Sequence, residues 1–182
     1  VFGQRALSST PTNTLGEELI DLATLNVTSV NALQLWHGKS TATVLSPTQI
    51  LVAGRDGCEI LDPTTLTSTM ASGMNNPRHF HSASLLGNGD VLVGPGVFTL
   101  NNTNSLVSGY EVYNLANATW TVVTGTSSSR DYQMGMTIAN SGDAIIVGGN
   151  SAIVERYNSG NGFSSALALP DSITGASIFP VG

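Results

Sequence analysis

The three histidines of this chain are the side chains whose type and spacing come closest to a metal site. His79 and His81 are two positions apart, so on a β-strand both imidazoles would face the same side, a geometry that can hold a metal ion. His37 lies in an earlier part of the chain, and no carboxylate or cysteine stands at a matching position. We therefore interpret the histidines as packing residues and predict neither a metal ion nor another cofactor.

Two arginines are the next candidates for a chemical role. Arg78 and Arg130 stand at matching positions, each just before a predicted strand, and a guanidinium group can bind a carboxylate through two hydrogen bonds. They could form part of a ring that binds the carboxylate of a ligand or partner. Alternatively, each could pair with a neighbouring carboxylate such as Asp131 and tie structural units together.

The single cysteine, Cys58, completes the set of reactive residue types. It follows Gly57 at the start of a predicted strand and has no basic residue closer in sequence than Arg55, which favours a small buried residue over a reactive thiol. The sequence contains no nucleophile elbow, phosphate-binding loop or zinc signature. We predict no catalytic residue.

Composition and charge exclude several classes of function. The chain has 6 basic and 12 acidic residues and a net charge of -6, so it cannot build the cationic stripe that nucleic-acid binding requires. No apolar run approaches the roughly 18 residues of a membrane-spanning helix. Only 10% of residues are charged, which excludes the charged heptads of a coiled coil. A β-rich globular protein remains.

Three features recur in the same order along the chain and indicate an internal repeat. They are a strand of small and apolar residues, an apolar run that ends in small residues, and a segment that begins with glutamate. The copies span 40–45, 50–54 and 59–63; 82–86, 91–94 and 111–115; and 134–138, 145–149 and 155–159, with a further glutamate segment at 18–22. The recurrent residues Glu18, Glu59, Glu111 and Glu155 are therefore predicted to be architectural, since a catalytic carboxylate is needed only once.

Each repeat predicts four short strands and no helix. The second strand is a continuous apolar run, which is typical of a strand that is buried on both faces. A fourth strand, rich in Thr, Val and Trp, follows the glutamate segment, as at 119–123. A four-stranded unit of about 40–50 residues that repeats along the chain is typical of a β-propeller blade.

The order of residues in the best copy resembles the kelch repeat. It runs from Arg78-His79-Phe80-His81 through Gly89-Asp90-Val91-Leu92-Val93 to Glu111-Val112-Tyr113 and Trp120. The double glycine of that repeat is intact at Gly148-Gly149 and becomes Gly54-Arg55 and Gly94-Pro95 in the other copies. The resemblance implies an all-β fold, a β-propeller of four-stranded kelch-like blades, in which a histidine on the first strand is a common packing residue.

The repeats predict where the blades begin and end. A partial blade occupies 1–33, complete blades occupy 34–74, 75–126 and 127–170, and the first strand of a further or closing blade occupies 171–182. About four blades are therefore represented. Kelch-like propellers more often have more than four, which favours a part of a larger propeller. The alternative is that the last strand closes a four-bladed ring.

One face of such a propeller is predicted to bind a partner. The loops from strand two to three and from strand four to the next strand one share this face, which also carries the longest loop, 95–108. The candidate binding residues at the mouths of the first strands are Trp36, His37, Arg78, His79, Arg130 and Asp131. We expect a non-enzymatic module that presents this face to a protein or glycan partner.

Two other functions stay open. Some kelch-like propellers form the body of galactose- or glyoxal-oxidase-like copper radical oxidases, and the resemblance allows a fragment of such an enzyme. Cys58, Tyr132 and the histidines would be its available residues, although their order does not map onto that motif. The chain could instead belong to a filament or shell in which neighbouring subunits, or the rest of a longer chain, complete an exposed strand.

Three N-x-Ser/Thr sequons bear on the location of the protein. Asn26, Asn101 and Asn117 are candidate acceptors for N-glycosylation. Together with the acidic balance and the scarcity of lysine, they favour an extracellular or cell-surface location.

Overall fold

Every regular element in the described part of the chain is a β-strand. The computed structural model describes residues 2–4, 17–20, 25–30, 32–125, 130–176 and 178. The strands are β1 (Phe2–Gln4), β2 (Glu17–Ile20), β3 (Val27–Val30), β4 (Thr41–Ser46), β5 (Gln49–Gly54), β6 (Gly57–Asp62), β7 (Thr67–Ala71), β8 (Ala83–Leu85), β9 (Val91–Val93), β10 (Gly96–Leu100), β11 (Thr103–Val107), β12 (Tyr110–Asn114), β13 (Thr119–Val123), β14 (Met134–Ile138), β15 (Ala144–Gly148), β16 (Ser151–Asn158) and β17 (Gly162–Ile173). Within these ranges no helix is long and apolar enough to cross a membrane. The prediction of an all-β fold is confirmed.

The strands pair antiparallel into four sheets and one separate ribbon. Sheet I contains β1–β3, sheet II contains β4–β7, sheet III contains β8, β9, β12 and β13, and sheet IV contains β14–β17. Strands β10 and β11 form the ribbon, which is inserted between the second and third strands of sheet III. Within each of these four sheets, the order of the strands in space is their order along the chain.

Sheet II illustrates how the sequence forms such a sheet. The apolar strand β5 lies between β4 and β6, with Val52 opposite both Ala42 and Glu59. It is buried along almost its whole length, as the continuous apolar run predicts. The turn from β5 to β6 contains two residues, and Gly57 follows with a φ of +144°, which L side chains rarely adopt.

Sheet III is the centre of the packing because both of its faces are covered. One core cluster, shared with sheet II, contains Leu51, Ala53, Cys58, Met74, Val91, Val93, Tyr113 and Trp120. A second cluster, shared with sheet IV, contains Leu86, Leu92, Tyr110, Val112, Met134, Ala144, Ile146 and Tyr157. Alternate residues of β9 therefore face different neighbours, as the two-residue period of a strand requires.

The first strands of sheets II, III and IV lie next to one another. Strand β8 contacts both β4 and β14. A hydrogen bond of 2.9 Å joins Thr41 Oγ1 at the start of β4 to His81 Nε2 just before β8. On the other side, Ser82 Oγ donates to the carbonyl oxygen of Met134 at 2.5 Å. The sheets thus meet along their first strands.

The turns that follow β8 and β14 touch through two glycines. The Gly87 N–H donates to the Gly142 carbonyl at 2.8 Å, and a β-carbon on Gly87 would lie 2.7 Å from Gly142 Cα. We expect Gly87→Ala to lower the free energy of unfolding by about 1–3 kcal/mol, because backbone must move to admit the methyl group. The matched control is Gly73→Ala, where a β-carbon meets no atom within 4 Å. Urea unfolding of both variants checks this contact, and equal losses would contradict it.

Two segments differ from the organisation that the sequence predicted. The predicted loop 95–108 is mostly the β10–β11 ribbon, because its residues pair in register across a two-residue turn. The strand predicted within 171–182 cannot include residues 171–173, since these belong to β17, whose last residue Ile173 pairs with Ser151. Residues 177 and 179–182 of that predicted strand lie outside the described residues.

Candidate functional site

A buried glutamate on the third strand of sheet III holds the segment that leads into its first strand. Glu111 of β12 accepts hydrogen bonds from the backbone N–H groups of Asn75 and Asn76, at 2.8 and 2.9 Å. Its Oε1 also lies 2.5 Å from Arg78 Nη2, and both side chains are fully buried. Arg78 further donates to the carbonyl oxygens of Asn76, Gly94 and Gly109. We call this arrangement a glutamate clamp.

Sheet IV repeats the charged part of the clamp. Arg130 Nε lies 2.8 Å from Glu155 Oε2, and both side chains are fully buried. Arg130 also donates to the carbonyl oxygens of Gly148 and Ile153. Both predicted face arginines, Arg78 and Arg130, are therefore internal groups. Their carboxylate partners come from the third strand of the same sheet, and Asp131 is not one of them.

In sheet II a histidine stands where the other two sheets have arginine. His37 Nε2 lies 3.0 Å from Glu59 Oε1, and both groups are buried. Glu59 also accepts hydrogen bonds from the backbone N–H groups of Gln34 and Leu35 and from Ser68 Oγ. Burial opposes ionisation of this carboxyl, but the hydrogen bonds outweigh it and hold the pKa of Glu59 below its ordinary value.

The other two histidines are also buried. His81 shares a hydrogen bond with Thr41, and burial together with the charge of Arg78 lowers its pKa to about 3. His79 Nε2 lies 3.3 Å from Thr99 Oγ1 of the ribbon, and burial lowers its pKa too. Among the described residues, no group of three His, Cys, Asp or Glu side chains is placed to hold a metal ion.

Three surface residues form a contiguous cluster two positions after the clamp residues. Lys39, Phe80 and Tyr132 follow His37, Arg78 and Arg130 respectively, so they occupy matching positions in three consecutive repeats. Lys39 Nζ lies 4.2 Å from the centroid of the Phe80 ring, and the Phe80 and Tyr132 rings are 5.8 Å apart. We call these residues the entry cluster, because they lie just before the first strands.

The backbone of the entry cluster is held in an unusual conformation. Phe80 and Lys39 have φ values of 57° and 64°, in the left-handed region that residues with bulky side chains seldom adopt. The Phe80 N–H donates to the Lys39 carbonyl at 2.9 Å. This hydrogen bond joins the segment that precedes sheet II to the segment that precedes the first strand of sheet III. The Phe80 ring is nevertheless 40% exposed. Strained backbone that supports an exposed aromatic ring is common at functional sites.

No family model matches this sequence, and no curated protein matches it either. The entry cluster and the buried clamps are therefore the observations from which a function can be inferred.

The six predicted binding residues divide between surface and interior. Trp36 is 42% exposed, and the Arg55 guanidinium lies 5.6 Å from the centroid of its ring. Asp131 is partly buried and accepts a hydrogen bond from the Gln133 N–H at 2.9 Å. The other four, which are His37, Arg78, His79 and Arg130, are buried.

Sequence reasoning missed all three members of the entry cluster as binding residues. Lys39, Phe80 and Tyr132 are three different residue types, so no sequence motif connects them. What they have in common in the sequence is their position, two residues after the clamp residue of each repeat. That signal becomes informative only once the clamp residues are known to point inward.

Cys58 and Tyr132, the residues considered for an oxidase, lie in different surroundings. Cys58 is fully buried in the core shared by sheets II and III, and burial raises the pKa of its thiol to about 11. Tyr132 contacts Phe80 at the surface. The expectation of a small buried cysteine is thus confirmed.

All three sequon asparagines are exposed. Asn26 precedes β3, Asn101 lies in the turn of the ribbon, and Asn117 lies in the turn between β12 and β13. Their environments differ, because the Asn117 side-chain oxygen accepts a hydrogen bond from Thr119 Oγ1 at 2.6 Å.

Proposed function

We propose that this chain is a β-propeller region of kelch-like blades that binds a protein partner outside the cell and has no catalytic role of its own. The observation that carries the proposal is the entry cluster, in which three matching repeat positions lie together, with Lys39 and Phe80 exposed and Tyr132 partly buried. The resemblance of the repeats to kelch sequences agrees with this architecture.

The packing of consecutive sheets supports the propeller. Sheets II, III and IV have four antiparallel strands each, and their first strands are neighbours. The segment after β17 continues the series, because a β-carbon on Gly135 of β14 would lie 2.8 Å from the Ala176 carbonyl oxygen. A further blade that begins at this segment would place its first strand against β14, as in a larger propeller.

The charge of the entry cluster favours an acidic partner. Lys39 is exposed and is the single lysine of a chain whose net charge is -6. No carboxylate among the described residues lies within ion-pair distance of its ammonium group. The cluster is therefore a local positive site beside aromatic rings, and aromatic residues are enriched in protein interfaces. It suits a partner that presents carboxylates next to apolar side chains.

The aromatic rings favour a protein over a glycan. A sugar ring binds best on an open aromatic face. Here Lys39 lies over the Phe80 ring and Arg55 lies over the Trp36 ring, so each ring has one face occupied by a cation of the chain itself. Lys39 can still form an ion pair with a carboxylate of a peptide, whereas Arg55 is already paired with Asp56.

Binding to a peptide library and a glycan array tests the proposal. We expect acidic peptides to be selected, and we expect Phe80→Ala and Lys39→Ala each to raise the dissociation constant about tenfold or more, which is about 1.4 kcal/mol. Met70→Ala is the matched control, because Met70 is an exposed apolar residue on β7, outside the entry cluster. It should change the constant less than about twofold.

Three results would contradict the proposal. Binding to glycans alone would exclude a protein partner. Selected peptides that bind Phe80→Ala as tightly as the unmodified chain would exclude this surface. A library that yields no peptide with measurable affinity would exclude the binding role itself.

A further inference from the structure

We infer that Asn101 carries an N-linked glycan and that the first sugar covers the apolar face at the tip of the β10–β11 ribbon. The inference concerns the ribbon and not the entry cluster, and it rests on the proposed extracellular location. At this sequon an exposed acceptor lies beside an exposed apolar side chain that a sugar can cover.

The sequon lies in the turn of the ribbon, where it is exposed to solvent. Leu100 pairs with Thr103, so Asn101 and Asn102 form a two-residue hairpin turn. Their φ values of 49° and 61° are those that such turns need at both positions, and asparagine tolerates them well. All three sequon residues are exposed. The Asn101 side chain makes no hydrogen bond to any described residue, whereas that of Asn117 is bonded to Thr119.

An apolar surface lies directly beside the acceptor. Leu100 is 61% exposed at the tip of the ribbon. Because strand residues alternate between faces, Phe98 and Leu100 share one face with their partners Ser105 and Thr103. Phe98 is partly buried, so the exposed apolar area on this face is chiefly that of Leu100. The C–H face of a sugar on Asn101 can pack against it.

The ribbon also has edges that a glycan would protect. It contains only two strands, and outside it the described residues provide one backbone bridge, between Val97 and His79. Unpaired strand edges next to exposed leucines promote association between chains. A glycan at the tip would obstruct such pairing. Since the bridge residue His79 precedes Phe80, the ribbon stands beside the entry cluster without covering it.

The modification is a group transfer from a lipid-linked oligosaccharide diphosphate. A bond forms between Asn101 Nδ2 and the anomeric carbon of the first sugar. Nδ2 loses one proton, and the lipid diphosphate leaves with the bonding electrons. The hydroxyl of Thr103 at the third position is the part of the sequon that this transfer requires.

Secretion of the full chain from a eukaryotic host tests the inference. The variants are Asn101→Gln and Thr103→Val, which remove the acceptor and the hydroxyl separately, and Asn117→Gln is the matched control. Peptide mass spectrometry after enzymatic deglycosylation in heavy-oxygen water identifies each modified asparagine. We expect most Asn101 to be modified, and we expect both ribbon variants to lose the same glycan mass.

The self-association of the same samples tests the covering role. Sedimentation should give at least a twofold larger fraction of associated chains for Asn101→Gln and Thr103→Val than for Asn117→Gln. Unmodified Asn101 in the secreted chain would overturn the inference, and modification at Asn26 or Asn117 alone would do so while leaving the extracellular location intact. Equal association in all variants would overturn the covering role. Peptide binding at the entry cluster is measured separately, so its failure is distinguishable.

Discussion

Replacing Glu111 with alanine is expected to lower the free energy of unfolding by about 3–5 kcal/mol. The Arg78 guanidinium would be left buried without its countercharge, and the N–H groups of Asn75 and Asn76 would lose their acceptor. Removing one member of a buried pair costs more than the pair contributes, because desolvation of the remaining charge is no longer compensated. A loss of this size is a large part of the roughly 5–15 kcal/mol that stabilises a typical domain.

Two comparisons in urea unfolding make this expectation specific. Glu111→Gln keeps hydrogen-bond acceptors while removing the charge, so we expect an intermediate loss, and this variant serves if the alanine variant does not fold. Asp56→Asn breaks the partly exposed ion pair with Arg55 and should cost no more than about 1 kcal/mol. Losses of similar size for Glu111→Ala and Asp56→Asn would refute a structural role for the clamp.

Acidification is expected to destabilise the fold before any carboxylate titrates. The pKa of His81 falls from an ordinary 6.5 to about 3 in the folded state, chiefly because burial disfavours the charged imidazole. The unfolded chain therefore binds a proton that the folded chain excludes. The stabilisation is fully present above pH 6.5 and is lost as the pH falls, at up to about 1.4 kcal/mol per pH unit.

Unfolding free energies measured between pH 7 and pH 4.5 test this expectation. The depressed pKa of Glu59 acts in a lower window, because a carboxyl of ordinary pKa 4.5 loses its contribution only below that value. Losses between pH 6.5 and pH 4.5 are therefore assigned mainly to His81 and His79. His81→Gln should flatten the profile in that window by about 2–3 kcal/mol. An unchanged slope in this variant would mean that His81 is not the titrating group.

The repeat pattern predicted the four-stranded units and the architectural role of the glutamates. Glutamates at one repeat position were expected to be architectural, and Glu59, Glu111 and Glu155 are all buried and bonded. The continuous apolar run at β9 likewise predicted a strand with two covered faces. Such features are periodic, and periodicity can be read from a sequence without knowing the packing.

The partners of the arginines could not be predicted in the same way. The carboxylate next to Arg130 in sequence is Asp131, but the ion pair joins Arg130 to Glu155 on β16. Strand pairing, and not sequence distance, decides which charged groups meet. The ribbon could not be predicted for a local reason, because its Asn101-Asn102 turn lacks the glycine that most often identifies a hairpin, although asparagine adopts the required positive φ.

The glutamate clamps also determine which chemical conditions this protein resists. They connect the segment before the first strand to the third strand of the same sheet, as a disulfide would in many extracellular proteins. The single cysteine is buried and cannot form a crosslink within this chain. Disulfide crosslinks are cut by thiols, whereas an ion pair is indifferent to redox potential. These sheets should therefore keep their shape in reducing surroundings.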